Sequence, residues 1–150
     1  MSIDKDINQT NFKSEYQKAI VNLIFTYNWT TEQLKNIFNV EGVTLQQFNI
    51  LRILRGSQTA LSTLQIRDRM LDKMSDTSRI VDRMIIKGFA KKAICKIDKR
   101  LVDVTITAKG LKLLEKMDKQ EDKMEAIFQN LSGTEAKTLN KLLDKIRQSN

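Results

Sequence analysis

A chain of 150 residues builds one folded domain, or one domain with helical arms, and 41% hydrophobic with 29% charged residues excludes an intrinsically disordered protein. The net charge of +8 is unevenly spread: residues 61–110 contain 12 Lys/Arg and 6 Asp/Glu, whereas the rest of the chain contains 14 and 12. This concentration favours a surface that binds phosphate groups over the alternative of a solvated basic surface.

The N-terminal part of the chain predicts two helices. Apolar residues recur at helical spacing over residues 12–38, which predicts a long helix with a narrow apolar stripe. A second helix begins at Thr44, which forms a capping box with Gln47, and ends at Gly56.

The next segment predicts a helix-turn-helix. Ser62 and Gln65 have capping-box spacing at the start of a third helix. After a short connection at residues 72–74, Ser75 is predicted to cap a fourth helix that runs from about Asp76 to Lys87 and stops at Gly88. Two short helices joined by such a turn are typical of DNA-binding proteins.

The periodicity then changes from helix to strand. Residues 102–106 alternate between apolar and polar side chains, and the stretch 89–97 is rich in apolar and lysine residues. The charged tripeptide Asp98-Lys99-Arg100 separates them. This pattern predicts a β-hairpin, or wing, directly after the helix-turn-helix.

The C-terminal third is predicted to be helical. Thr107 caps a long helix that extends to Leu131, and Ser132 with Glu135 forms a capping box for a final helix. The N- and C-terminal helices have apolar stripes that the small central unit cannot cover. Pairing of these helices between two chains would bury the stripes, so we expect a homodimer.

The fourth helix has one apolar and one polar side. Placed on a helical wheel, the core side comprises Thr77, Ile80, Val81, Met84 and Ile85, and the opposite side carries Arg79 and Arg83 four residues apart. Such a helix fits the major groove of duplex DNA. The alternative is an ordinary surface helix whose arginines pair with neighbouring carboxylates. The basic hairpin that follows favours DNA.

Candidate DNA contacts come from the fourth helix and the wing. Hydroxyl groups and arginines of the helix can contact phosphates or base edges, and wing cations can reach the minor groove or the backbone. They are Ser75, Thr77, Ser78, Arg79, Arg83, Lys99 and Arg100. Asp82 and Asp98 are expected to orient the wing, Asp82 by pairing with a wing arginine and Asp98 by orienting Arg100 or capping the turn.

These segments resemble the MarR family of bacterial transcription regulators. The run from Arg79 to Phe89 resembles the family's recognition helix. The run from Asp98 to Gly110 resembles its wing: Asp-x-Arg, an alternating strand, then Thr-x-x-Gly at the start of a helix. Residues 44–56 are similar to the helix that precedes the helix-turn-helix. The fold class implied is mostly α with a small β-hairpin wing.

The resemblance implies a homodimer that binds a pseudo-palindromic operator, usually as a repressor, with contacts from the residues above. It also implies that a small aromatic or phenolic effector can release the DNA. Residues 44–106 would form the winged helix-turn-helix and residues 12–38 and 108–148 the dimerisation part of a single domain over 1–150. The sequence does not locate an effector site. Tyr16, Tyr27 and Phe48 could line one, although aromatic residues on a helical apolar stripe are more often part of the core.

Several other functions fit the sequence poorly. No histidine, glycine-rich phosphate loop or nucleophile elbow is present, so an enzyme is not expected. No cofactor is expected, and one cysteine without histidine disfavours zinc. The polar N-terminus and lone Cys95 predict a cytoplasmic protein, and no apolar stretch suits a membrane. A winged-helix module that binds proteins instead of DNA remains the main alternative.

Overall fold

The computed structural model describes residues 2–94 and 102–148. Its helices are α1 (Ile3–Asp6), α2 (Glu15–Asn39), α3 (Leu45–Arg55), α4 (Thr63–Arg69), α5 (Thr77–Ile86), α6 (Ala108–Asp118), α7 (Glu121–Glu125) and α8 (Gly133–Ile146), with a short 3₁₀ turn at Ala126–Phe128. Its strands are β1 (Leu61–Ser62), β2 (Ala90–Ile94) and β3 (Val102–Ile106). The predicted fold class, mostly α with a small β-hairpin wing, is confirmed, and a short third strand adds to the two wing strands.

The hydrophobic core lies in the middle of the chain. Its buried side chains run from Phe38 to Met117 and come from α3 to α6, the sheet and the end of α2. By contrast, α2 buries only Phe38 over its 25 residues, and α8 has no buried residue. The central unit therefore has its own core, and the two outer helices leave most of their apolar surface uncovered.

The sheet has three antiparallel strands in the order β1-β3-β2. Leu61 of β1 lies opposite Val104 of β3, and β2 pairs with β3 from Ala90 opposite Ile106 to Ile94 opposite Val102. The sequence predicted the two long strands and missed β1, because two residues are too short to show a strand periodicity. Strand β1 pairs with β3 and is followed directly by α4, so it connects the wing to the start of α4.

One junction joins the end of α5, the end of β3 and the start of α6. Gly88 ends α5 with a φ of +75°, a left-handed conformation that suits glycine. Thr107 Oγ1 donates a hydrogen bond to the Gly88 carbonyl (2.7 Å) and accepts one from the Gly110 N–H (3.1 Å), while the Thr107 N–H bonds to the Phe89 carbonyl (3.1 Å). The predicted cap at Thr107 is confirmed, and it connects three elements.

Besides Thr107, three predicted helix starts are confirmed and two are corrected. The capping boxes at Thr44, Ser62 and Ser132 are all formed. However, α5 is capped by Asp76 and not by Ser75, because the Ser75 hydroxyl donates to the carbonyl of Asp72 instead.

The second correction concerns α2, which begins at Glu15 and not near residue 12. The side chain of Ser14 accepts a hydrogen bond from the Gln17 N–H and so sets the start of the helix.

The predicted long helix after Thr107 is interrupted. It ends at Asp118, where the Gln120 N–H bonds to the Met117 carbonyl, and continues as α7 and the 3₁₀ turn. Met117 is fully buried whereas α7 has no buried residue, so the break coincides with the edge of the core. Within the described residues, no helix is both long and apolar enough to cross a membrane.

An ion pair ties α3 to α6 beside this break. The Arg55 guanidinium donates to both carboxylate oxygens of Asp118, at 2.6 and 3.1 Å. This hydrogen bonding lowers the pKa of Asp118 below its ordinary value and raises the pKa of Arg55. Because both side chains are more than a third exposed, the pair is expected to stabilise the fold by no more than about 1 kcal/mol.

The packing around Gly110 makes a testable prediction. A Cβ at this position would clash with the carbonyl oxygen of Phe89 and lie 2.8 Å from Cγ1 of Ile106. We expect Gly110→Ala to lower the free energy of unfolding by roughly 1–3 kcal/mol or more in urea titrations. Gly133→Ala is the control, because that position has open space around it and should change stability by less than about 0.5 kcal/mol. Equal effects of the two substitutions would contradict the close packing.

Candidate nucleic-acid interface

One side of α5 is packed onto the core. Thr77, Val81 and Met84 are buried, and Ile80 and Ile85 are half-buried. The core side predicted from the helical wheel is therefore confirmed. This packing determines which side chains of α5 face outward, because an α-helix anchored along one stripe cannot rotate about its axis.

The opposite side of α5 presents the two predicted arginines. Arg79 and Arg83 are both exposed and, four residues apart, project from the same side of the helix. Arg79 Nε lies 3.5 Å from the carboxylate of Asp76, an exposed ion pair that costs little to break. Arg83 forms no ion pair with any described residue. Both guanidinium groups are therefore accessible to an anionic partner.

Asp82 links α5 to the wing. Its carboxylate accepts a hydrogen bond from Lys92 Nζ, on strand β2. The sequence predicted an arginine of the wing as the partner, and the structure provides a lysine. The sequence could not single out Lys92 as this partner. The lysine-rich stretch 89–97 does not alternate regularly between apolar and polar residues, so it does not show which side of the strand each lysine faces. The pair places one wing strand directly beside the outward side of α5.

The predicted hydroxyl residues differ in exposure. Ser78 is exposed and Ser75 is half-buried. Thr77 is only 2% exposed, so its side chain is buried and does not lie on the exposed side of α5 with Arg79 and Arg83. The Thr77 hydroxyl also has no hydrogen-bond partner among the described residues. A buried hydroxyl without a partner lowers the stability of the fold by about 1–3 kcal/mol, and such groups are rare in native proteins.

A small cleft separates α4 from the start of α5. It encloses about 260 Å³, and its lining residues are Thr63, Leu64, Arg67, Ser75, Asp76, Thr77 and Ser78. Arg67 is exposed and was not singled out from the sequence, where it contributed only to the basic charge of residues 61–110. The cleft brings Arg67 of α4 close to the residues at the start of α5 that bear hydroxyl groups.

The wing tip lies outside the described residues. The predicted contacts Lys99 and Arg100, the predicted orienting residue Asp98, and Cys95 of the predicted first wing strand are therefore not described. Among the wing cations that the structure does describe, Lys91 on β2 is exposed, beside the Lys92 that pairs with Asp82.

Two further concave regions involve α2. A cavity of about 590 Å³ lies between α2 and the segment after α6, where Trp29, Gln33, Lys123 and Gln129 are among the lining residues. An apolar groove of about 670 Å³ lies between α2 and α8 and includes Tyr16 and Tyr27. Phe48 lines neither; it is a core residue whose ring centroid lies 4.9 Å from that of Phe38.

The fold and this surface can be compared with solved structures. A MarR transcription factor from Planctomyces limnophilus is 30% identical in sequence, with 89% of this chain and 98% of that chain aligned and a TM-score of 0.69. The chain belongs to the MarR family of transcription regulators. Members of this family are transcription regulators and not enzymes.

Two MarR-family structures of lower sequence identity share the fold. A cysteine-to-serine mutant of MarR from E. coli, solved with operator DNA, is 20% identical over 93% of this chain and all of that chain, with a TM-score of 0.81. BpsR from Bordetella bronchiseptica, whose DNA binding is regulated by 6-hydroxynicotinic acid, is 20% identical over 94% of this chain and all of that chain, also with a TM-score of 0.81. Comparisons with family models and with curated proteins give no match.

Proposed function

We propose that this chain is a sequence-specific regulator that binds duplex DNA through α5 and the wing, and that it acts as a repressor released by a small effector. The observation that carries the proposal is the arrangement of Arg79 and Arg83 on the outward side of a helix whose other side is anchored in the core. It would work in the cytoplasm, where operator DNA is accessible. The MarR-family relative solved with operator DNA supports this function.

The chemistry of α5 suits the major groove. A guanidinium group can pair with two acceptors on a guanine edge, or clamp a phosphate, and two such groups on one helical stripe can contact successive bases. The exposed hydroxyl of Ser78 can add a contact to the backbone. Lys99 and Arg100 are proposed to extend this surface to the neighbouring backbone and minor groove, with Asp98 orienting Arg100.

The Asp82–Lys92 pair is proposed to hold the wing at a constant distance from α5. A carboxylate facing DNA would otherwise repel phosphate, and pairing with Lys92 removes most of that repulsion. Asp82 thus acts on DNA through the placement of the wing, which is the orienting role that the sequence suggested.

The DNA contacts predict a graded loss of binding. We expect Arg79→Ala and Arg83→Ala each to weaken binding to a duplex selected from random sequence by roughly 1–3 kcal/mol, measured by fluorescence anisotropy. Lys137→Ala, which removes one exposed charge from α8, is the matched control and should leave binding unchanged within experimental error.

Salt dependence tests the alternative of a protein-interaction module. Binding of the selected duplex should weaken by several logarithmic units per tenfold rise in salt if about six phosphates are neutralised. Failure of the wild-type protein to bind any duplex at low salt would instead support a winged helix that binds proteins.

The protein is proposed to bind its operator as a homodimer formed by residues 12–38 and 108–148, with residues 44–106 as the DNA-binding part. The supporting observation is the apolar surface of α2, where Tyr16, Ile20 and Ile24 are 85%, 60% and 57% exposed. The groove beside it, lined by α2 and α8, is suited to receive a helix of a second copy. Two copies would present two α5 helices, as a pseudo-palindromic operator requires.

Dimerisation through this surface can be tested with one charge. Ile20→Asp places a carboxylate in the apolar groove and should convert the dimer to a monomer in sedimentation equilibrium. Leu71→Asp is the control, because Leu71 is also highly exposed (81%) but lies in the turn before α5. A wild-type monomer, or a dimer that tolerates Ile20→Asp, would contradict the proposed interface.

The cavity beside Trp29 is the proposed effector site. A planar aromatic acid can stack on the indole ring of Trp29, place its carboxylate near Lys123 and find amide partners in Gln33 and Gln129. The cavity adjoins the end of α2, where Phe38 enters the core, so occupancy can alter how the outer helices sit on the DNA-binding part. BpsR, whose DNA binding responds to 6-hydroxynicotinic acid, motivates the choice of ligand class.

Trp29 is the chain's single tryptophan, so its fluorescence reports directly on this cavity. We expect 6-hydroxynicotinic acid to quench the fluorescence and to weaken duplex binding over the same concentration range. Lys123→Gln should raise the dissociation constant about two- to fivefold, as expected for loss of an exposed charge pair. Lys119→Gln, outside the cavity, should not. Unchanged fluorescence at millimolar ligand would exclude this effector class from the site.

A further inference from the structure

We propose that the cleft between α4 and α5 binds one backbone phosphate of duplex DNA, with Arg67 as its cation and the Thr77 hydroxyl as its inner donor. This inference rests on the DNA-binding function proposed above and adds a contact site to it. Neither Arg67 nor the cleft was expected from the sequence. For Thr77, which the sequence predicted as a DNA contact, the cleft explains how a buried residue could make that contact.

The size and lining of the cleft suit a small anion. Its volume of about 260 Å³ is below the roughly 300–1,000 Å³ typical of sites for larger organic ligands. The lining residues include four that bear a hydroxyl group, namely Thr63, Ser75, Thr77 and Ser78, together with Arg67. Of these hydroxyl groups, that of Ser75 already donates to the Asp72 carbonyl. A phosphate group has several strong acceptor oxygens, which match a lining composed mainly of donors.

The Thr77 hydroxyl is the observation that points to a ligand. It is the buried side-chain polar atom for which the described part of the chain provides no hydrogen-bond partner. Nearly all buried hydroxyl groups in native proteins have one. Because Thr77 lines the cleft, an oxygen atom bound there would be its missing acceptor.

The start of α5 strengthens the electrostatics of the cleft. This helix has ten residues, and its N-terminal N–H groups carry the positive end of the helix dipole. Asp76 is the one carboxylate in the lining, and it is already engaged: it accepts a hydrogen bond from the Arg79 N–H (3.1 Å) and faces Arg79 Nε at 3.5 Å. Arg67 pairs with no carboxylate among the described residues, so its charge is available to an anion.

The position of the cleft fits the path of the DNA backbone. When α5 lies in the major groove, its N-terminus and the helix that precedes it meet the phosphates at the groove edge. A phosphate held between α4 and α5 would fix how deeply α5 enters the groove. The contact would therefore be independent of base sequence, while it positions the arginines that read the sequence.

The first experiment compares Arg67→Gln with Arg69→Gln. Both residues are exposed arginines of α4, but Arg69 does not line the cleft. Arg67→Gln should weaken binding equally for selected and unrelated duplexes and reduce the slope of log K against log salt by about one. Arg69→Gln should leave the slope close to that of the wild type.

A second experiment identifies the phosphate itself. Neutral methylphosphonates are introduced one at a time into the selected duplex. At one position in each half-site the wild-type protein should lose affinity, and Arg67→Gln should be insensitive to that same change. If Arg67→Gln remains as sensitive as the wild type at every position, the inference is overturned.

Thr77→Val separates a ligand-binding role from a structural one. Removal of an unpartnered hydroxyl should leave the thermal midpoint of the free protein unchanged or raise it, whereas affinity for the duplex should fall several-fold. Thr77→Ser, which keeps the hydroxyl, should retain most of the affinity. A variant Thr77→Val that binds DNA as tightly as the wild type would overturn the role of Thr77.

The remaining outcomes are also decisive. If inorganic phosphate binds the free wild type and not Arg67→Gln, while no methylphosphonate position shows an Arg67-dependent loss of affinity, the cleft is a free-phosphate site and the DNA assignment is wrong. Failure of the wild type to bind any duplex refutes the proposed function as a whole. Normal wild-type binding with identical behaviour of Arg67→Gln and Arg69→Gln refutes the cleft alone.

Discussion

The arrangement of the proposed DNA-binding surface depends on the hydrogen bonds of one residue, Thr107. Its hydroxyl group bonds simultaneously to the end of α5, through the Gly88 carbonyl, and to the start of α6, through the Gly110 N–H. Its own N–H bonds to the Phe89 carbonyl, where the chain enters β2. Thus the end of α5, the end of β3 and the start of α6 meet at Thr107. The absence of a side chain at Gly110 is what allows this approach.

The junction at Thr107 explains why the exposed charged groups on α5 and β2 keep a fixed position relative to one another. Burial of Val81 and Met84 prevents rotation of α5, and the junction at Thr107 places the wing against its end. The ion pairs on the outer surface, Arg79 with Asp76 and Asp82 with Lys92, are exposed and individually weak. The scaffold is therefore rigid where it meets the core, while its charged groups can exchange their partners for phosphates or bases at small cost.

Much of this architecture followed from short-range patterns in the sequence. Capping boxes at Thr44, Ser62 and Ser132 depend on side chains three residues apart, so the sequence showed them directly. The apolar periodicity of α5 likewise predicted which side is buried. These features are local, and the packing of the rest of the chain did not alter them.

The features that the sequence did not predict depend on contacts between segments that are far apart in the chain. Strand β1 exists only because Leu61 pairs with Val104, and the break after Asp118 coincides with the edge of the core. Lys92 became the partner of Asp82 through the register of the wing, and the cleft at Arg67 arises from the packing of α4 against α5. None of these relations has a signature within a single segment, which is why helical periodicity and capping patterns did not reveal them.

The most direct test of the central claim is a nuclear magnetic resonance titration of the isotope-labelled protein with a selected duplex. The account predicts that the Nε–H signals of Arg79 and Arg83 and the backbone amides of α5 shift most, while the exposed face of α8 changes little. Large shifts confined to α2 and α8, with the arginine signals of α5 unchanged, would contradict the claim that the anchored helix α5 presents the DNA-binding surface.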